Sequence, residues 1–300
     1  MIKVAYHPMY AHPLPAGHRF PMQKYELLPK QLLHEGTCIN SNFFLPDFPD
    51  LNAIYAAHCP DYVKQLIDLT LDSKSIRKIG FPLSKELVDR ELLIADGSIK
   101  AAVFALEHGV ALNIAGGTHH AYSNRGEAFC LLNDQAIAAR YLQRHHAIKK
   151  MLIVDLDVHQ GNGTAEIFAN DTSVFTFSMH GASNYPFKKE ISDLDIALPK
   201  ETSDKDYLHI LENTLPTLIE EQRPDFIFYL SGVDILSSDK LGKINCTLSG
   251  CKERDRFVLS ICKEYQLPVM CSMGGGYSPD IKTIIEAHAN TYRVAKHLFD

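Results

Sequence analysis

An α/β fold is what this sequence predicts: one parallel sheet with helices on both faces and a site at the C-terminal ends of its strands. Apolar, strand-like runs alternate with helical segments along the whole chain, the pattern of a crossover-connected sheet. The runs are nearly continuous rather than alternating, as expected for strands buried on both faces. Polar or glycine-rich clusters follow strand after strand, at Gly116 to His120, Asp155 to His159, Ser178 to His180, Ser231 to Asp234 and Gly274 to Tyr277. One such cluster would be a turn; a series along one sheet edge marks the crevice where open α/β sheets place ligands. No linker, composition break or internal repeat divides the 300 residues, so residues 1–300 read as a single domain.

Taken in order, Ile2 to Tyr6 is a short strand. A proline-broken loop follows, with His7, His12, His18 and Arg19, which either wraps a site or is exposed. Met22 to Glu35 reads as an amphipathic helix closed by Gly36. Residues 43 to 51 read as loop. Helices are expected over Asn52 to Leu71, Ser84 to Ala95 and Ser98 to His108, with a basic turn at Lys74 to Lys78. Val110 to Ala115 is a buried strand that runs into Gly116-Gly117-Thr118-His119-His120-Ala121. A helix to about His146, the strand Met151 to Leu156, a short helix Thr164 to Ala169 and the strand Val174 to Met179 come next. The chain closes with the helix Lys205 to Gln222, the strand Phe226 to Leu230, a helix through Tyr265, the strand Pro268 to Met273 and the helix Pro279 to Phe299.

Composition excludes several functions. With 46% apolar and 22% charged residues the chain has the balance of a soluble globular protein. A net charge of -6 offers no basic footprint for nucleic acid. No run reaches the length of a membrane span and the N-terminus lacks a signal-peptide core. The seven cysteines form no CxxC pair, which fits a reducing compartment. A cytoplasmic enzyme is the expectation, and nothing specifies an oligomeric state.

The chemistry concentrates in Val154-Asp155-Leu156-Asp157-Val158-His159-Gln160-Gly161-Asn162-Gly163. Residues two apart on a strand share a face, so Asp157 and His159 can aim at one point past the strand's end, with Asp155 one step deeper. Alone, Asp234 reads as a cap or turn residue; with Asp157 and His159 it completes a three-ligand set. One histidine and two aspartates leave open positions on a zinc ion, the pattern of a catalytic site, and two carboxylates neutralise a divalent cation. Iron(II), cobalt or manganese suit the same donors. His119-His120 alone is an ordinary histidine pair, but after two glycines at a strand end, beside such a strand, it reads as functional. The Gly161-Asn162-Gly163 turn is followed by no Lys-Ser/Thr, which argues against a phosphate loop.

These residues resemble the zinc-dependent histone deacetylase superfamily, whose fold is shared with arginase, over nearly the whole chain. The Gly-Gly-x-His-His-Ala, Asp-Leu-Asp-x-His-x-Gly, Ser-Gly-x-Asp and Gly-Gly-Gly-Tyr motifs carry the likeness in this order. Asp157 to Gly163 and Asp239-Lys240-Leu241-Gly242 look most similar to the class IV branch. The resemblance implies that Asp157, His159 and Asp234 hold the metal. His120 would be the general base and then the acid, His119 its electrostatic partner oriented by Asp155, and Tyr277 the donor to the oxyanion. It further implies a narrow tunnel lined by Phe129, Gly117 and Gly275, with Tyr185 or Phe187 near its mouth and Arg19 beneath the metal. A structural potassium would sit among Asp155, the main chains of Asp157 and His159, Ser178 and the main chain of Met179.

Two departures stand out. Where class I members have a carboxylate to orient the base histidine, this chain has Asn162, so His120 should be less basic. Where they have an acidic residue at the rim, this chain has Gly80-Phe81-Pro82-Leu83. The expected activity is removal of an acetyl or longer fatty acyl group from the ε-amine of lysine in proteins, by water attack without a covalent intermediate. Cys130 is expected to pack rather than react. The alternatives are an acetylpolyamine or other small-amide hydrolase and, outside the enzymes, an acyl-lysine-binding scaffold. An arginase-like ureohydrolase is disfavoured because that branch needs a second metal and more Asp/His ligands.

Overall fold

The computed structural model describes residues 1–300. Strands β1 (Lys3–Ala5), β2 (Phe43–Phe44), β3 (Val110–Asn113), β4 (Met151–Asp155), β5 (Val174–Gly181), β6 (Leu194–Leu198), β7 (Phe226–Gly232) and β8 (Val269–Gly274) form one sheet. Its order is β2-β1-β3-β8-β7-β4-β5-β6 and every pairing is parallel. Parallel pairing brings all the C-terminal strand ends to one edge of the sheet, where open α/β sheets place their ligands.

Ten helices cover the sheet: α1 (Lys24–His34), α2 (Leu51–Tyr55), α3 (Pro60–Ile67), α4 (Ser73–Ile79), α5 (Lys85–His108), α6 (Asp134–His145), α7 (Asn162–Phe168), α8 (Asp204–Gln222), α9 (Leu248–Glu264) and α10 (Ile281–Phe299). The central strands β3, β4, β7 and β8 are buried at every residue, and a single core cluster of 79 residues joins sheet and helices.

Four expectations need correction. The helix expected over Asn52 to Leu71 is two, because Pro60 opens α3 and forces Cys59 into extended backbone. The expected basic turn at Lys74 to Lys78 is helix α4, capped by Asp72, whose side chain accepts from Lys74 and Ser75 N–H, and closed by Gly80 at φ 83°. Conversely, the two helices expected between Ser84 and His108 are the single helix α5. Gly97 does not interrupt it; a Cβ there would lie 2.3 Å from the Tyr10 hydroxyl, so glycine serves close packing against the N-terminal segment. Finally, β2 and β6 were not anticipated. Both are half-exposed edge strands, β2 of only two residues, and neither carries the apolar run that marks the inner strands.

Candidate active site

Four strand ends converge. Asp157 and His159 follow β4, Asp234 follows β7, Tyr277 follows β8, and His119 and His120 lie in the loop after β3. The register places these ends level: Asp155 sits opposite Leu230 and Ser178, and Gly232 opposite Gly274. The strand ends and their side chains are so close there that glycine is required. A Cβ on Gly117 would lie 2.0 Å from the Met273 carbonyl oxygen, and one on Gly275 2.2 Å from the Asp234 carboxylate.

The ligating atoms of Asp157, His159 and Asp234 all fall within 4.8 Å of one another, and all three side chains are buried. His159 Nδ1 lies 3.0 Å from Asp157 Oδ1 and 3.1 Å from Asp234 Oδ2. Burial raises the Asp234 carboxyl, and repulsion from Asp157 raises it further. Burial works to lower His159, but the two carboxylates outweigh it and lift the imidazole to about 10. No lysine or arginine pairs with either aspartate; His119 and His159 are the sole cationic groups in ion-pair reach. Buried carboxylates persist when paired or when they coordinate a metal, and this donor set fits a divalent cation.

The two other histidines are held differently. His119 Nδ1 is 2.6 Å from Asp155 Oδ2; burial would lower this imidazole, but Asp155 and Asp157 bring it above its ordinary value. His120 Nδ1 is 2.6 Å from Asn162 Oδ1, and burial followed by repulsion from His119 and His159 holds it well below its ordinary value. Asn162 donates through Nδ2 to the Tyr122 hydroxyl at 2.9 Å, which fixes its oxygen towards His120. His120 therefore carries its hydrogen on Nδ1 and leaves Nε2 as a free acceptor. The side chain of Tyr185 packs edge-on against it, 4.9 Å between ring centres.

Above these groups is a cavity of about 390 Å³, lined by Tyr277, Phe129, Tyr185, Phe187, Gly117 and Gly275 among others. Asp239 accepts from the Tyr277 backbone N–H at 2.6 Å, while the Tyr277 hydroxyl has no protein partner. Phe129 stands at φ 69°, next to Ala128 at φ 45°. Non-glycine residues reach this region only under constraint. Here their N–H groups donate to the Ile79 and Lys78 carbonyls at the end of α4. Burial keeps the Cys130 thiol well above its ordinary value, so no thiolate is available.

Arg19 lines this cavity but does not lie beneath the Asp157–His159–Asp234 cluster. It is exposed, at the open end, with its guanidinium 4.9 Å from the centre of the Phe129 ring. The buried cation near the floor is Lys24, on the first turn of α1, which donates through Nζ to the Gly275 carbonyl at 2.5 Å. Burial pushes its ammonium down to about 8. The cavity continues past the ligand cluster to Tyr25, Arg90, Ile94 and Thr118. Arg90 is buried and paired with the adjacent, equally buried Glu91. Sequence reasoning missed Lys24, Arg90 and Asp239. The adjacent opposite charges of Arg90 and Glu91, between the apolar pairs Leu87-Val88 and Leu93-Ile94 of the helix, were the available signal.

Asp155 and Ser178 are cross-strand neighbours. Asp155 accepts from the Asp157 N–H, and Ser178 Oγ lies 3.4 Å from the Gly161 N–H and 3.1 Å from His180 Nδ1. Oxygen donors thus cluster beneath His119. Nearby, Gln160 bonds the Glu190 main chain and the Asp195 carboxylate, tying the 184–193 loop to the site.

Residues 18–292 match the histone deacetylase domain family. A protein of Picosynechococcus described as uncharacterized is 45% identical over 296 residues, 99% of both chains. Histone deacetylase 2 of Arabidopsis thaliana is 30% identical over 212 residues, 70% of this chain and 53% of that protein. The chain thus spans about half the length of that curated deacetylase. A solved histone deacetylase homologue in complex with SAHA superposes with a TM-score of 0.87 at 22% identity, covering 99% of this chain and 84% of its own.

Proposed function

We propose a reaction for this chain on one premise: it belongs to the histone deacetylase family. It hydrolyses the amide of an acyl-lysine side chain. The observation that carries this reading is the buried Asp157–His159–Asp234 cluster beside the His119–His120 pair at the floor of a narrow cavity. A divalent cation held by the three ligands, zinc by its donor set and iron(II) as the next fit, would polarise the acyl carbonyl and acidify water beside it. His120 Nε2 takes the proton from the attacking water and returns it to the leaving ε-amine. His119, held by Asp155, adds positive field beside that transfer. The Tyr277 hydroxyl, free of protein partners, donates to the developing oxyanion. Phe129 and Tyr185 flank the methylene stem. Potassium among Asp155, Ser178 and the neighbouring main-chain oxygens would keep Asp155 charged and His119 oriented.

A cavity of about 390 Å³ must hold both the lysine stem and the acyl group, a volume towards the lower end of the range for organic ligands. At its far end the buried cations Arg90 and Lys24 stand beside Tyr25 and Ile94, and those two charges support acetyl or another short acyl group over a long fatty one. Gln160, Asn162 and residues 239–242 support placement near the class IV branch. The test is acid release from a neutral-flanked lysine peptide carrying acetyl, butyryl or myristoyl groups, before and after chelation. Turnover of the short acyl peptides should vanish on chelation and return with zinc. Preference for myristoyl overturns the short-acyl reading, and turnover of no peptide overturns the deacylase reading.

The Asn162 contact yields a pH prediction. An aspartate at 162 would place a negative charge where the Asn162 oxygen lies 2.6 Å from His120 Nδ1 and raise the imidazole. Only neutral His120 accepts a proton, so the acid limb of kcat/KM should move to higher pH in Asn162→Asp, by on the order of one unit. An unmoved limb in a folded variant removes His120 from the role of base.

A further inference from the structure

We propose that the mouth of this cavity selects acyl-lysines flanked by acidic residues; the proposal rests on the deacylase reading above and names its substrate class. Although the chain carries a net charge of -6, exposed Arg19, Lys78 and Lys243 line the open end, and exposed Lys240 stands on the adjoining rim. The carboxylates that line the cavity are Asp157 and Asp234, both at the floor and both committed to the ligand cluster.

The rim cations are largely uncompensated. Arg19 rests on the Phe129 ring, and Lys243 donates to the Ser183 carbonyl at 2.8 Å. Neither they nor Lys240 has a carboxylate within ion-pair distance. Lys78 lies 3.7 Å from Glu127, but Glu127 also pairs with Arg125 at 3.0 Å, so one anion faces two cations. The other nearby anion, Glu190, accepts from the Tyr122 hydroxyl at 3.2 Å.

A cleft lined by one sign of charge focuses its field on approaching substrate. A polyamine, or a peptide rich in lysine and arginine, brings like charge to this rim, and such juxtaposition is how proteins reject partners. A carboxylate on either side of the acyl-lysine meets Arg19 or Lys243 instead. Phe187, 94% exposed beside the mouth, offers apolar surface that a peptide flank covers and a free polyamine does not.

The experiment compares kcat/KM of zinc-loaded protein on matched acetyl-lysine peptides with Asp/Glu, Gly/Ser or Lys/Arg flanks, on free Nε-acetyl-lysine and on N-acetylspermidine. At low salt the acidic peptide should exceed the basic one by roughly tenfold or more, mainly through KM, and the ratio should shrink towards one in ~0.5 M salt. An Arg19→Ala/Lys243→Ala double variant should lose most of that ratio. A ratio near one, a preference for the basic peptide or N-acetylspermidine, or a ratio unchanged in the double variant overturns the proposal. Free Nε-acetyl-lysine outrunning the acidic peptide assigns the rim to a free carboxylate instead and overturns the peptide claim. Failure to turn over even the neutral peptide is a different result: it removes the deacylase reading, and this proposal with it.

Discussion

Asp234→Asn is expected to lower turnover by roughly a thousandfold or more and to abolish stabilisation by added zinc. The substitution is isosteric, and the amide oxygen can still accept the Val158 N–H that Asp234 Oδ1 accepts at 3.0 Å, so the fold should survive. The lost property is charge. One carboxylate no longer neutralises a divalent ion, and metal activation worth several kcal/mol is lost, at one decade of rate for each ~1.4 kcal/mol. The metal-free variant provides an internal control. Burial and repulsion from Asp157 both disfavour the charged form of Asp234, so removing that charge should leave the metal-free protein at least as stable as the parent. Thermal unfolding with and without zinc, alongside turnover, reads both effects. A metal-free variant much less stable than the parent would assign Asp234 to structure, and parental turnover would remove it from the ligand set.

Tyr277→Phe is expected to cost about a hundred- to a thousandfold in kcat, the usual loss for one oxyanion donor. KM and zinc affinity should stay close to the parent values. Phenylalanine keeps the ring packing against Phe20 and Phe129, at 6.1 and 6.2 Å between centres, and the backbone bond to Asp239 does not depend on the hydroxyl. A change confined to KM would make Tyr277 a binding residue. Full retention of kcat would leave the oxyanion without the donor assigned to it. Because an acyl-lysine binder needs no such donor, the variant also separates enzyme from scaffold.

Much of this was legible because buried parallel strands are written as apolar runs and their ends as glycine and polar clusters. β3, β4, β5, β7 and β8 each had such a run, so the level at which Asp157, His159, Asp234, His119, His120 and Tyr277 meet could be anticipated from topology alone. What stayed hidden depends on contacts between distant segments. Lys24 reads as a solvated residue on an amphipathic helix, yet it is buried against the Phe20, Tyr25 and Tyr277 rings. Nothing local to residue 24 records the approach of Gly275. Arg19 erred in the other direction: the family resemblance implied the floor, whereas its loop leaves it exposed against the Phe129 ring. Asp239 entered the sequence reading only through the class IV likeness of residues 239–242, and only the fold shows that its carboxylate holds the backbone of Tyr277 and of Leu241 and Gly242. Helix α4 was missed because its interior is basic and polar; its worth lies in the carbonyls that fix Ala128 and Phe129.

The most direct measurement is a titration of zinc into chelator-stripped protein, with bound metal and acid released from a neutral acetyl-lysine peptide read in the same samples. Hydrolysis should be absent at the start, rise in proportion to bound zinc, saturate at one ion per chain, and fail to appear in Asp157→Ala and Asp234→Asn. Full hydrolysis by the stripped protein, or tight zinc binding undiminished in both variants, would contradict the account.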